Sequence, residues 1–193
     1  MTDKKNDIIN SDAHHLNART LTPEDYDSVK ELTQEIYPDL GAWEKHEYDF
    51  LIKTFPDGQI GIEDNGKIIA AAFAIVVDYS KWGDRHTYDQ ITDNCRFTTH
   101  DPDGDTLYGV DVFVSPKFRG LRLGRRLYDM RKEICYNLNL RAIVAGGRLP
   151  GYSQYAEKMK PQAYIQKVKN KDIYDPILTF QLSNGFHVRR VLK

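Results

Sequence analysis

The 193-residue sequence predicts one α/β domain, with helices flanking a mixed sheet whose first half is mostly antiparallel. Three observations carry this. Two helical patterns precede a hairpin marked by Asn65-Gly66. A strand at 107–115 runs through a short glycine-containing loop into a helix, then a further strand at 142–145. The complete order reads β-α-α-β-β-β-α-β-α-β.

Residues 1 to about 17 are too polar to bury anything and read as a disordered tail, His14-His15 included, so the domain is expected over 18–193. Arg19–Leu21 is a short first strand. Thr22-Pro23-Glu24-Asp25 opens a helix with an N-cap, a proline at the first helical position and acids in the first turn. Val29, Leu32 and Ile36 share one face of it. A second helix begins near Glu44, with Tyr48, Leu51, Ile52 and Phe55 inward, and Pro56-Asp57-Gly58 stops it. Residues 59–63 and 68–77 form a hairpin, because Asn65-Gly66 supplies the positive φ angles of a tight turn. Residues 78–106 are an acidic, aromatic insertion between strands.

A strand resumes at Leu107–Ser115. The next helix spans about Arg122–Leu138, with Leu123, Leu127, Met130, Ile134 and Leu138 on one face. Ala142–Ala145 is a short buried strand closed by Gly146-Gly147. Two polar helices fit near 152–159 and 161–170. Asp175-Pro176 caps another, with Leu178 and Leu182 inward and Gly185 ending it; Phe186–Leu192 is the last strand.

With 27 basic and 28 acidic residues the net charge is −1, so bulk attraction to nucleic acid has no support. No apolar run spans a membrane, and the polar N-terminus lacks the apolar core of a secretory signal. A soluble, cytoplasmic domain is expected. Cys95 and Cys135 make neither a disulfide framework nor a zinc site. Charge is unevenly spread: residues 117–148 carry nine basic and two acidic side chains, a net +7 that leaves −8 elsewhere. A basic patch in a neutral protein suggests a small anionic ligand.

That patch coincides with the strand–loop–helix unit at 112–127. The first turn of a helix has unpaired N–H groups and the positive end of a dipole, a cradle for phosphate. Gly120 and Gly124 let backbone approach an anion, and Arg119, Arg122, Arg125 and Arg126 add charge. A pyrophosphate fits. The Gly-Lys-Ser/Thr of a P-loop is absent, and the glycine spacing fails the dinucleotide fingerprint. The alternative is an ordinary connection whose arginines face solvent.

The run Phe113–Cys135 resembles motif A of the GNAT superfamily of N-acetyltransferases, whose pattern Q/R-x-x-G-x-G/A follows a strand. Arg119 and Gly124 match its first and last positions, and Arg122 replaces the usual middle glycine. The element order is similar to the GNAT fold over about 18–192, with Asn184-Gly185-Phe186 at its frequent closing turn. Segments 86–92, 99–114, 119–129, 145–152 and 173–188 are similar to the acetyltransferase-like N-terminal module of bacterial fusions with a carbon–nitrogen hydrolase, although no hydrolase region occurs here.

The resemblance implies acetyl-CoA as co-substrate. Main chain at Phe113 and Val114 would pair with the pantetheine amides, in a splay between that strand and 142–145. The N–H groups of Arg119, Gly120, Leu121, Arg122, Leu123, Gly124 and Arg125 would bind the pyrophosphate; Arg122 would either narrow this cradle or reach the 3′-phosphate. In the family an amine attacks the thioester directly while a carboxylate takes its proton. Asp111 stands where that acid is often found, and an Asp satisfying backbone N–H groups at a β-bulge is the alternative. The family's usual proton-donating Tyr of the closing helix is Gln181 here, leaving Tyr174, Tyr152 and Tyr155 as substitutes or packing residues.

Weaker signals point to structure. Asp101–Asp105 lacks the bidentate Glu of a calcium loop, having Val112 at position twelve, and reads as a turn. His86 and His100 have no ligand partners nearby in sequence, so no metal is expected. Cys135 reads as a structural thiol. The insertion's excess of acids would favour a cationic amine if it lines the acceptor mouth. The expected function is acetyl transfer from acetyl-CoA to a primary amine of a small molecule; the second reading is a non-catalytic acyl-CoA-binding or interaction module. The fold usually adds a seventh strand, for which a short sheet, a partner's strand or a longer parent protein would account, and an exposed final strand would favour a homodimer through edge pairing.

Overall fold

The computed structural model describes residues 14–39 and 41–192. One five-stranded sheet runs in chain order: β1 Leu16–Thr20, β2 Ile60–Asp64, β3 Lys67–Val77, β4 Thr106–Val114 and β5 Ala142–Ala145. The first three pairings are antiparallel and β4–β5 is parallel. A parallel pair needs a crossover, which the helix Leu123–Asn137 supplies (α5). The other helices are α1 Tyr26–Ile36, α2 Lys45–Thr54, α3 Tyr79–Trp82, α4 Tyr88–Thr92, α6 Pro161–Lys169 and α7 Pro176–Ser183.

The hairpin turns as expected, with Asn65 at φ 49 and Gly66 at φ 81. β3 is apolar along its length because both its faces are covered. On one face Phe73, Ile75, Tyr108, Val110 and Phe113 pack against α1, α2 and the aromatic residues of the insertion. On the other, Ile62, Ala70 and Ala72 meet Leu123 and Leu127 of α5.

Five details differ from the sequence reading. In place of the helix expected near 152–159, Pro150–Gln154 forms a 3₁₀ helix and residues 155–159 are turn and bend. β1 begins at Leu16, inside the stretch expected as a tail, since Leu16 and Asn17 pair with Asp64 and Glu63. His14 bonds the Asp64 carboxylate at 2.8 Å; the rest of that tail, residues 1–13, lies outside the described residues. β5 is half-buried rather than buried, as its outer edge has no strand beside it among the described residues. Phe186–Leu192 forms no ladder: side chains hold it instead, Phe186 against Tyr128 (5.1 Å between rings) and Arg189 on Asp84. Finally, Leu138 is 43% exposed, because α5 ends at Asn137 and the chain turns away.

Asp175 ties the C-terminal elements together. Its carboxylate accepts from the N–H groups of Ile177 and Leu178, from Gly151 N–H at 3.1 Å and from Tyr164 Oη at 2.9 Å. Asp175→Ala removes an N-cap and strands a buried hydroxyl, so urea denaturation is expected to show a loss of about 2–4 kcal/mol.

Candidate functional site

β4 and β5 part after Gly109, whose partner Ala145 ends β5, while β4 continues to Val114. At the same place the β3–β4 register slips: Ala74 pairs with Gly109 and Phe73 with Asp111, which makes Val110 the extra residue of a bulge. Main chain from Val110 to Val114 therefore has no β5 partner. Phe113 turns its side chain into the α1–α2 face, whereas Val114 packs towards α5.

Asp111 sits at this bulge, half-buried. Its Oδ1 accepts from the N–H of Val112 at 2.8 Å, and Oδ2 has no hydrogen-bond donor among the described residues. Burial pushes its carboxyl above the ordinary carboxylate range, against the pull of the Val112 N–H and of the Arg131 and Arg148 guanidiniums. Tyr37, at the end of α1, lies beneath the Arg148 guanidinium at 5.4 Å, and its phenol is raised by burial and by Asp111. One Asp111 oxygen is thus bonded to backbone and the other has no donor among the described residues.

Beyond β4, Ser115 accepts from Lys117 N–H to start a single 3₁₀ turn, and the loop then takes left-handed conformations at Gly120 (φ 93) and Arg122 (φ 57). Arg122 is the N-cap of α5 and its side chain makes no cap bond. The first α5 bond is Arg126 N–H to Arg122 O at 3.1 Å, so the N–H groups of Leu123, Gly124 and Arg125 find no acceptor among the described residues. Arg119, Arg122, Arg125 and Arg126 are exposed and form no ion pair among the described residues. Leu121 is exposed and Leu123 buried, leaving only main chain to contribute at Leu123. The two glycines differ. Space around Gly120 is open, whereas a Cβ on Gly124 would stand 2.7 Å from the Phe180 ring, so Gly124 lets α7 pack against α5. A free helix N-terminus with unpaired arginines and an open glycine fits a pyrophosphate.

Gln181, on α7, crowds Gly147 just past the end of β5 and stands beside the Tyr128 hydroxyl of α5. The three substitute tyrosines are engaged elsewhere: Tyr174 is 74% exposed, Tyr152 donates to Met159 O, and Tyr155 packs on Tyr164. Tyr128 was not apparent as a candidate, although its position four residues after Gly124 places both in one helical row.

Five of the seven aspartates of the insertion are paired, while Asp89 and Asp103 are exposed with no side-chain partner among the described residues. Asp78 binds Ser80 and Lys81, Asp84 binds Tyr79 and Arg189, and Asp93 binds Thr98 and Arg96. Asp101 binds Lys81 and the N–H of Asp103, and Asp105 binds Arg141. The pairing of these five weakens the ground for a cationic acceptor. His86 bonds Gly83 O, His100 accepts from Val76 N–H and stacks on Phe55, and Cys135 donates to Leu140 O. A groove of about 360 Å³ between α1, β3 and residues 115–118 is lined by none of the expected site residues.

The family model described as acetyltransferase (GNAT) family matches residues 26–151. "Probable hydrolase YhcX" of Bacillus subtilis (strain 168) is 38% identical over 173 residues, 90% of this chain; the chain spans about a third (34%) of that protein's length. "Uncharacterized N-acetyltransferase YkwB" of the same organism is 33% identical over 92% of this chain and 80% of its own length. Among solved structures, the loading GNATL domain of CurA from Lyngbya majuscula shares the fold, with TM-score 0.75 at 23% identity over 89% of this chain and 84% of that one. No helix among the described residues is long and apolar enough to cross a membrane. These matches favour an enzyme over a non-catalytic module. On the strength of a family model spanning most of the chain and a relative matched along four-fifths of its length, the chain belongs to the GNAT family of acetyltransferases.

Proposed function

We propose that this acyltransferase moves an acetyl group from acetyl-CoA to a primary amine of a small molecule by direct attack. The observation that carries the reading is the place of Asp111: a carboxyl with one unoccupied oxygen, at the bulge where β4 leaves β5. Acetyl-CoA would supply the acyl group activated as a thioester. Main-chain N–H groups from Gly120 to Arg125 hold the pyrophosphate, with the arginine side chains around it; the Arg119 N–H, expected among them, donates instead to Pro116 O. Main chain of Phe113 and Val114, unpaired on the β5 side, lines the pantetheine arm.

The attacking amine must be neutral, and Asp111 Oδ2 takes the proton it sheds, directly or through a water. Tyr128, beside Gln181, is the phenol we assign to return a proton to the departing sulfur, in place of the tyrosine that the closing helix lacks. The acceptor approaches past Tyr37 and the exposed Arg148 guanidinium stacked on it, beside the Asp111 carboxyl, which suits a small amine with an apolar body over a polycation.

The test is thiol release from acetyl-CoA in the presence of n-butylamine, 2-phenylethylamine, glycinamide, putrescine or spermidine, with product mass read by mass spectrometry. Amine-dependent release with a mass gain of one acetyl group is expected, and small neutral-bodied amines should exceed spermidine. Release that no amine accelerates would count against the reading.

A further inference from the structure

Arg131 of α5 is 1% exposed and is the largest wholly buried side chain among the described residues. No carboxylate contacts its guanidinium among the described residues. Instead Nη2 donates to the carbonyl of Phe73 at 2.6 Å and to that of Asp111, the cross-strand pair on which the β4 bulge closes. The fork packs tightly on Gly109: a Cβ there would stand 3.0 Å from Nη1 and 3.4 Å from the Ala145 side chain, at the last β4–β5 pair, so the guanidinium would have to shift. Nε is buried with no partner. Burying an unpaired guanidinium is costly, and a well-packed apolar residue is commonly as stable or more so. The cation is therefore better explained by what it does to its neighbours than by stability.

We propose that Arg131 is a positioning residue for acyl transfer: its guanidinium clamps the Phe73 and Asp111 carbonyls across the bulge, fixes where β4 parts from β5, and places positive charge under the Asp111 carboxyl. This rests on the reading of Asp111 as the base. One guanidinium nitrogen binds the carbonyls of both residues of the pair that closes the bulge, so Asp111 and the free main chain after it are held in one geometry. Guanidinium keeps its charge when buried, so this contribution is constant across the working pH range. Besides Arg131, the titratable groups facing Asp111 are Arg148 after β5, which pulls its value down, and Tyr37 after α1, Tyr88 on α4 and Tyr128 on α5, whose phenols the Asp111 charge raises.

Arg131→Met, Arg131→Lys, Gly109→Ala and Asp111→Asn test this with three measurements. These are acetyl-CoA affinity by calorimetry, turnover on the amine panel above, and the Asp111 midpoint from carboxyl ¹³C NMR, assigned by the resonance lost in Asp111→Asn. In Arg131→Met the midpoint is expected to rise by about one pH unit and turnover at pH 7 to fall at least about tenfold, with acetyl-CoA affinity falling by less than turnover does. Arg131→Lys keeps the charge without the fork, so its midpoint should stay near wild type while turnover is intermediate. Gly109→Ala displaces the fork and keeps the charge, so turnover should fall with the midpoint unmoved.

If Arg131→Met does not fold, the lysine and alanine variants decide. Folded Arg131 and Gly109 variants with unchanged turnover and midpoint would overturn the proposal alone, provided Asp111→Asn is inactive. Full turnover in Asp111→Asn would instead overturn the base reading, and the positioning role with it.

Discussion

Asp111→Asn is expected to lower turnover by about 10²–10⁴-fold while acetyl-CoA affinity stays within about threefold of wild type. The amide has the same shape and can keep the bond from Val112 N–H through its carbonyl oxygen, so the bulge survives. What it cannot do is accept a proton from the amine. The pH dependence follows from the same side chain. Asp111 works as the carboxylate, and burial raises its pKa. Activity is therefore present above that raised value and lost as pH falls through it, on a limb lying higher than an exposed aspartate would give. Thiol release followed across a pH series checks both points: the wild-type acid limb should be absent from whatever residual activity the Asn variant retains.

Reversing two charges at the helix start should have the next largest effect. Arg122→Glu with Arg125→Glu is expected to weaken acetyl-CoA binding by about 10²-fold, roughly tenfold for each arginine. Both side chains are exposed and make no ion pair among the described residues, so the fold should be untouched and Tm nearly unchanged. The attraction is also screened by salt. Wild-type affinity should fall between low and high ionic strength, and the double variant should show little of that dependence. Calorimetry at two salt concentrations separates this electrostatic loss from a collapsed site, which would lose binding at both.

Local chemistry made much of the fold readable. Asn65-Gly66 fixes the hairpin because only residues tolerating positive φ make that turn, and Ala142–Ala145 is bounded by the glycines after it. The phosphate-type loop was readable for a similar reason, since the glycines and arginines fall where a strand meets a helix. Pairing partners are another matter. The alternation at Phe186–Leu192 has the look of a strand, but a ladder needs a neighbour, and here Phe186 and Arg189 are drawn to Tyr128 and Asp84. Gly124 illustrates the same limit, because nothing local says that its missing Cβ faces Phe180 rather than a ligand.

Arg131 was hidden within a periodic pattern. Its place four residues after Leu127 puts it on the inward row of α5, and a basic residue in that row is the signal that would have singled it out. The insertion misled in the other direction. Its acids, counted along the chain, suggested an anionic mouth, whereas in three dimensions several of them cap turns and neutralise nearby lysines and arginines. Sequence reports charge but not its pairing.

The most direct test of the account is a calorimetric titration of the purified chain with acetyl-CoA and with CoA. Saturable one-site binding in the micromolar range, weakened by the Arg122→Glu, Arg125→Glu pair, is the predicted result. Absence of binding up to millimolar acetyl-CoA would contradict it, and with it the assignment of the α5 N-terminus and the β4–β5 split as the acyl-CoA site.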